Sequence, residues 1–324
     1  MNKYWSEIVK RTEPYVPGEQ LNDPGIIKLN TNENPYPPSP LVKEAILEEL
    51  DGQLRLYPSP TADGLRETIA ESVGVSKEEV FVGNGSDEVL AFSFMAFFQP
   101  GKPIRFPNIT YSFYPVYAKL FDIPYELVRL NEDFSLPVES FFNSEGGVIL
   151  PNPNAPTSLY MELSSIEEIL IGNPDTVVII DEAYIDFASE SAVELVKSYG
   201  NLLVVQTTSK SRSLAGMRVG YAIGHPDLIE AVVRIKDSFN SYTIDRLAIA
   251  GATAAFKDGA YFDKTIMKIK ETRSRFIEAM KGMGFHVLPS QANFVFVSHS
   301  DMAASDLYRQ LKEEGILVRH FNQP

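Results

Sequence analysis

The chain has no cysteine among its 324 residues. That excludes disulfides, thiolate metal sites and a cysteine nucleophile. Histidine is scarce: His225, His286, His299 and His320 are all there are, and none stands in an HExxH spacing. A catalytic zinc site therefore lacks its usual ligands, and no metal is expected. Positive charge is in deficit. Lysine and arginine number 29 against 43 aspartates and glutamates, a formal net charge of −14. A balance of that sign disfavours nucleic acid or an anionic membrane as partner. It still leaves room for a local basic pocket that takes a small anion. No apolar run is long enough to span a bilayer, and the opening MNKYWSEIVKRTEPY has no apolar core of a secretory signal. The expected location is the cytoplasm.

What is present is alternation. The segments EVFVGNG, PIRFPN, YELVRL, GVILPNP, TVVIIDEAY, LLVVQTTS and VGYAIG read as strands. Several are apolar at consecutive positions, as strands buried on both faces of a parallel sheet are. Between them GLRETIAESVG and SAVELVKSYG read as amphipathic helices. Strand and helix in turn predict an α/β fold, a three-layer α/β/α sandwich on a mainly parallel sheet.

The two ends differ from the middle. LNTNENPYPPSP predicts an extended, ordered arm, because proline and the residue before it disfavour helix. From Tyr261, YFDKTIMKIKETRSRFIEAMKGMG reads as one long helix, and ANFVFVS, DMAASDLYRQLKEEG and ILVRHF read as strand, helix and strand. The expected organisation is a large domain over 46–260, with an arm (1–45) joined to a smaller α+β unit (261–324). A lone closing strand followed by Asn-Gln-Pro reads as an incomplete C-terminus.

In open parallel sheets, function gathers at the carboxyl ends of the strands. Four such ends carry chemistry. FVGNGSDEV places Gly85 and Ser86 where a helix begins, with free backbone N–H groups for an anion. The competing reading is a plain helix cap by Ser86, with Asp87 set against the dipole. VILPNPNAPTS offers Asn154, or only a Pro-rich turn. VVIIDEAYIDF ends a very apolar strand in Asp181, with Tyr184 three residues on. A carboxylate there needs a donor or a cation, structural or catalytic. LLVVQTTSK ends in Thr207, Thr208, Ser209 and Lys210, with Arg218 eight positions beyond the lysine. Each is weak alone. Together they offer an anion cradle, an amide, an acid with a phenol, and a lysine. Pyridoxal phosphate needs such a set: an amine for its aldehyde, an acid beside its ring nitrogen, donors for its phenolate, and a cradle for its phosphate.

The sequence also resembles a family. PNPNAPTS, DEAYIDF and SKSRSLAGMRVGY are similar to the hallmarks of fold-type I pyridoxal-phosphate aminotransferases. LNTNENPYPPSP, RLYPSP and GILVRHFNQP resemble, more narrowly, the histidinol-phosphate aminotransferases among them. The likeness runs from Tyr15 to Pro324. It implies that Lys210 bonds the cofactor and then carries the proton between Cα and C4′. Asp181 would pair with the ring nitrogen, and Asn154 and Tyr184 with the phenolic oxygen. Gly85, Ser86, Thr207, Ser209 and Arg218 would hold the phosphate, and Tyr111 would stack on the ring. Tyr57 would reach the cofactor of a neighbouring subunit, which implies a homodimer. Tyr15, Asn32 and Arg319 would bind substrate, Tyr15 and Arg319 through its phosphate.

The implied reaction moves the amino group of glutamate to imidazole acetol phosphate. Small molecules, not nucleic acid or membrane, are the expected partners. Three positions depart from the family's habit: Gln206 for a frequent arginine, Thr208 for an aromatic, and Ser158 for glycine. The family also continues past FNQP to an arginine for the substrate's carboxylate. A chain ending at Pro324 would be impaired with glutamate. Rival readings are an aromatic amino-acid aminotransferase or lyase, a non-catalytic cofactor-binding sensor, and a purely structural lysine and acid.

Overall fold

In the computed structural model, which describes residues 3–16, 18–19 and 25–321, the seven apolar runs lie side by side in one sheet. After a short strand β1 (Ile27–Lys28) come β2 (Val80–Asn84), β3 (Ile104–Pro107), β4 (Tyr125–Val128), β5 (Val148–Pro151), β6 (Val178–Asp181), β7 (Leu202–Thr207) and β8 (Val219–Gly224). The sheet order is β2-β8-β7-β6-β5-β3-β4. Neighbours run parallel except β8, which is antiparallel to both β2 and β7. The carboxyl ends of β2, β5, β6 and β7 therefore share one edge with the start of β8. Register fixes this closely: Asn84 pairs with Val219, Thr207 with Gly220, and Pro151 with Asp181.

The unbroken apolar runs explain the layers. Every residue of β5, β6, β7 and β8 is buried. Successive side chains point to opposite faces, so Ile180 and Val204 join one core while Ile179 and Leu203 join the other. Each such side chain contributes about 1.5–3 kcal/mol when fully buried. The helices of the first half are α1 (Glu7–Arg11), α2 (Pro40–Glu49), α3 (Asp63–Val73), α4 (Gly85–Phe97), α5 (Tyr114–Phe121) and α6 (Leu163–Ile171). Those of the second are α7 (Pro226–Phe239), α8 (Arg246–Lys257), α9 (Gly259–Gly282) and α10 (Ala304–Glu313). Helices α3, α6 and α8 cover one face, and α4, α5 and α7 the other. Local sequence sets their starts. Ser39 caps α2 ahead of Pro40, and His225 caps α7 ahead of Pro226.

Residues 30–39 of the arm form neither helix nor strand, as the prolines predict, but the extended run is broken by a turn at Asn30 and Thr31, by Asn32 at φ +54, and by a bend at Pro35 and Tyr36. The long helix expected after Tyr261 is α9. Beyond it, β9 (His286–Val287) pairs antiparallel with β10 (Val297–Ser298), and β11 (Ile316–Leu317) pairs parallel with β1. The arm is thus tied to the far end of the sequence. The closing Asn-Gln-Pro lies outside the described residues.

Three expected elements shrink. ANFVFVS and ILVRHF keep only two strand residues each. SAVELVKSYG forms a 3₁₀ turn at Ala192–Leu195, not an α-helix. There the bonds run i to i+3, and β-branched Val193 and Val196 crowd a short segment that Glu182 pins at the Ala192 N–H. Among the described residues no helix is long and apolar enough to cross a membrane.

Candidate active site

Asp181 ends β6 fully inside the protein. Its Oδ2 accepts a hydrogen bond from the Tyr114 hydroxyl at 2.8 Å. Its Oδ1 is buried with no partner. Burial pushes the carboxyl up to about 7; the Tyr114 hydroxyl opposes this, and the charge on Asp87 adds to it. An orphaned carboxylate oxygen costs about 1–3 kcal/mol or more. Persisting at a strand end, it marks a place for a donor that the chain itself does not supply.

Lys210 follows β7 and is half-buried. Its Nζ donates to the Thr31 carbonyl at 2.8 Å and lies 5.7 Å from the Tyr184 ring centre. The arm frames it. Asn34 Nδ2 donates to the Lys210 and Ser211 carbonyls at 2.9 and 3.2 Å. Asn32 Nδ2 donates to the Tyr184 hydroxyl at 3.1 Å. The Ser211 hydroxyl donates to Asp186. Asn154 is buried: its amide donates to the Ile109 carbonyl and the Thr157 hydroxyl, and its Oδ1 is a second orphan.

The anion cradle is built at the start of α4. Asn84 is the cap position, and its side chain reaches the Thr243 carbonyl instead of capping. Gly85 opens the helix at φ +78, and Arg218 lies directly over it, where any Cβ would collide with the guanidinium. Arg218 itself holds φ +53, a left-handed conformation that costs a side-chain-bearing residue about 1–2 kcal/mol. It pairs with Asp87 at 3.3 Å, both groups partly exposed. Close by in the β-register, the Thr207 and Ser209 hydroxyls meet at 3.0 Å. Free N–H groups of a helix start, two hydroxyls and an arginine suit a phosphate.

The sheet edge thus gathers Gly85, Ser86, Asn154, Asp181, Thr207, Ser209, Lys210 and Arg218, with Tyr184 brought in beside Lys210. Tyr111 lies beside them, its hydroxyl donating to Asp87 at 2.8 Å. Three predicted residues stand elsewhere in this chain. Tyr57 is 79% exposed and stacks on Tyr242 at 4.6 Å. Tyr15 stacks on Phe113 at 4.5 Å. Arg319 lines an open cleft of about 200 Å³ with Glu19, Asn30, Tyr308, Val318 and His320.

Not foreseen from the sequence are Tyr114, Asn34 and Gly220. A Cβ at Gly220 would collide with the Gly85–Ser86 backbone, so that glycine lets β8 approach the cradle. PNITYSFYP and MRVGY held the signals, but nothing in them says which tyrosine or glycine faces inward. The three departures also find reasons. Gln206 hydrogen-bonds Glu182, and Thr208 bonds the Val219 carbonyl. Ser158 sits at φ +63, a conformation that favours the glycine expected there.

A mainly parallel sheet whose edge joins an unpaired buried acid, a lysine and an anion cradle defines a fold-type I pyridoxal-phosphate enzyme. The residues fit that cofactor: Asp181 Oδ1 awaits a donor, and the cradle awaits an anion. The family model "Aminotransferase class I and II" matches residues 24–324. The chain belongs to that family.

Histidinol-phosphate aminotransferase 1 of Oceanobacillus iheyensis is 61% identical over 324 residues, all of this chain and 91% of that protein. Among solved structures, the histidinol-phosphate aminotransferase from Clostridium acetobutylicum is 26% identical with a TM-score of 0.84, covering 91% of this chain and 89% of that one. The enzyme from Sinorhizobium meliloti, in complex with pyridoxal-5'-phosphate, shares the fold at 23% identity and TM-score 0.85, covering 98% of this chain and 89% of that one.

Proposed function

We propose that the chain is a pyridoxal-phosphate-dependent histidinol-phosphate aminotransferase, acting as a cytoplasmic homodimer. It would convert imidazole acetol phosphate and L-glutamate to L-histidinol phosphate and 2-oxoglutarate, in two half-reactions. The observation that carries the reading is the unpaired, buried Oδ1 of Asp181 on the same sheet edge as Lys210. The 61% identity to a relative of that name supports the substrate.

Bound cofactor supplies an electron sink for the bond broken at the substrate's α-carbon. The protein's own residues do the rest. Asp181 Oδ1 would accept the N–H of the ring nitrogen and keep the proton there. Lys210 Nζ would hold the aldehyde until the substrate's amino group displaces it, and the freed amine would then carry a proton to and from the substrate's Cα. Asn154 and Tyr184 would hold the phenolic oxygen, with Asn32 orienting the Tyr184 hydroxyl, and Tyr111 would lie against the ring. Gly85, Ser86, Thr207, Ser209 and Arg218 fix the phosphate. Tyr15 and Arg319 would receive the phosphate of the substrate, a role supported by the family likeness and not by their positions, against Phe113 and in the cleft beside Glu19.

Tyr57 serves the neighbouring subunit. It stands at the end of an exposed apolar stretch with Leu47, Leu50, Leu54 and Leu56, which a second copy of the chain would cover. A large domain (46–260) and an arm with a small domain (1–45, 261–324) would hold the substrate between them.

The test is spectroscopic, then kinetic. Purified protein with added pyridoxal phosphate should show the visible band of lysine-bound cofactor, and Lys210→Ala should lose it. A band that survives that substitution overturns the mechanism. Faster turnover with phenylpyruvate than with imidazole acetol phosphate overturns the substrate and favours the aromatic reading.

A further inference from the structure

Tyr114 is the first residue of α5 and has no exposed surface. Its ring is held edge-on by Phe106 at 5.9 Å and by Tyr111 at 5.7 Å. A phenol has one O–H to donate, and here it goes to Asp181 Oδ2 at 2.8 Å. Burial and the neighbouring carboxylate hold Tyr114 far above the usual phenol range, so it stays a donor. The packed ring cannot follow if the carboxyl turns. Of the two Asp181 oxygens, one is therefore fixed and the other left unpaired.

We propose that Tyr114 is a positioning residue for the cofactor's ring nitrogen. By fastening Oδ2, it presents Oδ1 of Asp181 to that nitrogen and keeps the acid in its ionised, accepting form. The inference rests on the reading of the site given above. Without the hydroxyl, Asp181 would keep only the weaker pull of the Ala183 N–H, and the buried carboxyl would turn more freely and hold its own proton more firmly. It would then accept poorly from the ring N–H. A Tyr114 that merely fills the core would affect stability and leave recognition of the ring nitrogen alone.

The experiment separates these. Binding of pyridoxal phosphate is compared with that of its 1-deaza analogue, in which carbon replaces the ring nitrogen, in the wild type and in Tyr114→Phe. The wild type should prefer pyridoxal phosphate. Tyr114→Phe should lose about tenfold or more in affinity for pyridoxal phosphate, as expected for a hydrogen bond to a charged group. Its affinity for the analogue should change less than twofold. On an Asp181→Asn background the same substitution should leave the preference unchanged. If Tyr114→Phe does not fold, Tyr114→Met carries the same comparison, lacking a donor but adapting in shape. Equal losses for both ligands, or no loss for either, would overturn the proposal while the function stands. A wild type that binds pyridoxal phosphate but does not prefer it also overturns the proposal. A wild type that binds no pyridoxal phosphate overturns the function itself, and the proposal with it.

Discussion

Glu182 follows Asp181 and points to the opposite face of the sheet. It is buried, and its Oε2 accepts from the Ser191 hydroxyl at 2.6 Å and the Gln206 amide at 2.7 Å. Its Oε1 accepts from the Ala192 N–H at 2.7 Å. The Tyr221 hydroxyl donates to Gln206 Oε1 at 2.8 Å, which turns the amide's N–H toward Glu182. All these donors are neutral. Burial outweighs them and pushes Glu182 from 4.5 up to about 7. The folded protein then holds a proton that the unfolded chain has released. Stability must fall as pH rises from about 4.5 to about 7, and level off above.

At about 1.4 kcal/mol for each pH unit, that interval bounds the effect at about 3 kcal/mol. Glu182→Gln removes the titration and keeps the shape. The assay is urea unfolding of cofactor-free wild type and variant between pH 4.5 and 8.5. The wild type should lose up to about 3 kcal/mol relative to Glu182→Gln across that range. A difference that stays constant with pH, or grows the other way, refutes the reasoning. Gln206→Arg, which restores the residue frequent in the family, should also flatten the dependence by giving the carboxylate a cation.

Two further substitutions test the scaffold. Gly220→Ala should cost about 1–3 kcal/mol by overpacking, read as a lower melting temperature, and should weaken pyridoxal phosphate binding because the displaced backbone is that of the cradle. Arg212 lies between the rings of Phe256 and Phe262, 3.7 and 4.2 Å from their centres, and donates to the Ala255 carbonyl. Arg212→Leu should cost about 1–2 kcal/mol in denaturant unfolding, combining a half-buried cation–ring contact with one hydrogen bond.

The central strands were legible because buried strands need continuous apolar residues, and VVII and LLVV carry them; the edge strand β4, YELV, is half-exposed and rests on its β-formers instead. Their parallel setting was legible for the same reason. The exception, β8, was not: VGYAIG reads as buried whichever way it runs. Asp181 and Lys210 stood out because a charge at the end of an apolar run demands an explanation. Tyr114 did not, since a tyrosine at a helix start is unremarkable until its hydroxyl is seen to meet Asp181. The failed helix at SAVELVKSYG has a similar cause. Its apolar spacing suits a helix, but a carboxylate ten residues earlier in sequence fixes the Ala192 N–H, and no local pattern reports that.

The reversal of β8 explains why QTTSKSRSLAGMRVGY carries so much of the site. After β7 the chain must leave the sheet, turn, and re-enter beside it. A parallel return would need a crossover to the opposite edge, and Arg218 would start its strand far from Lys210. An antiparallel return keeps both ends of the excursion at one edge, with Thr207 paired to Gly220. The same strand then pairs antiparallel with β2, setting Val219 against Asn84 and bringing Arg218 over Gly85. One hairpin-like excursion thus supplies the lysine, two hydroxyls and the arginine, and its glycine admits the helix start that completes the cradle. Two residues of that excursion, Ser213 and Arg218, hold a left-handed backbone, and the strain at Arg218 falls where β8 begins. It persists because the pairing on both sides of β8 leaves the arginine no other place to stand.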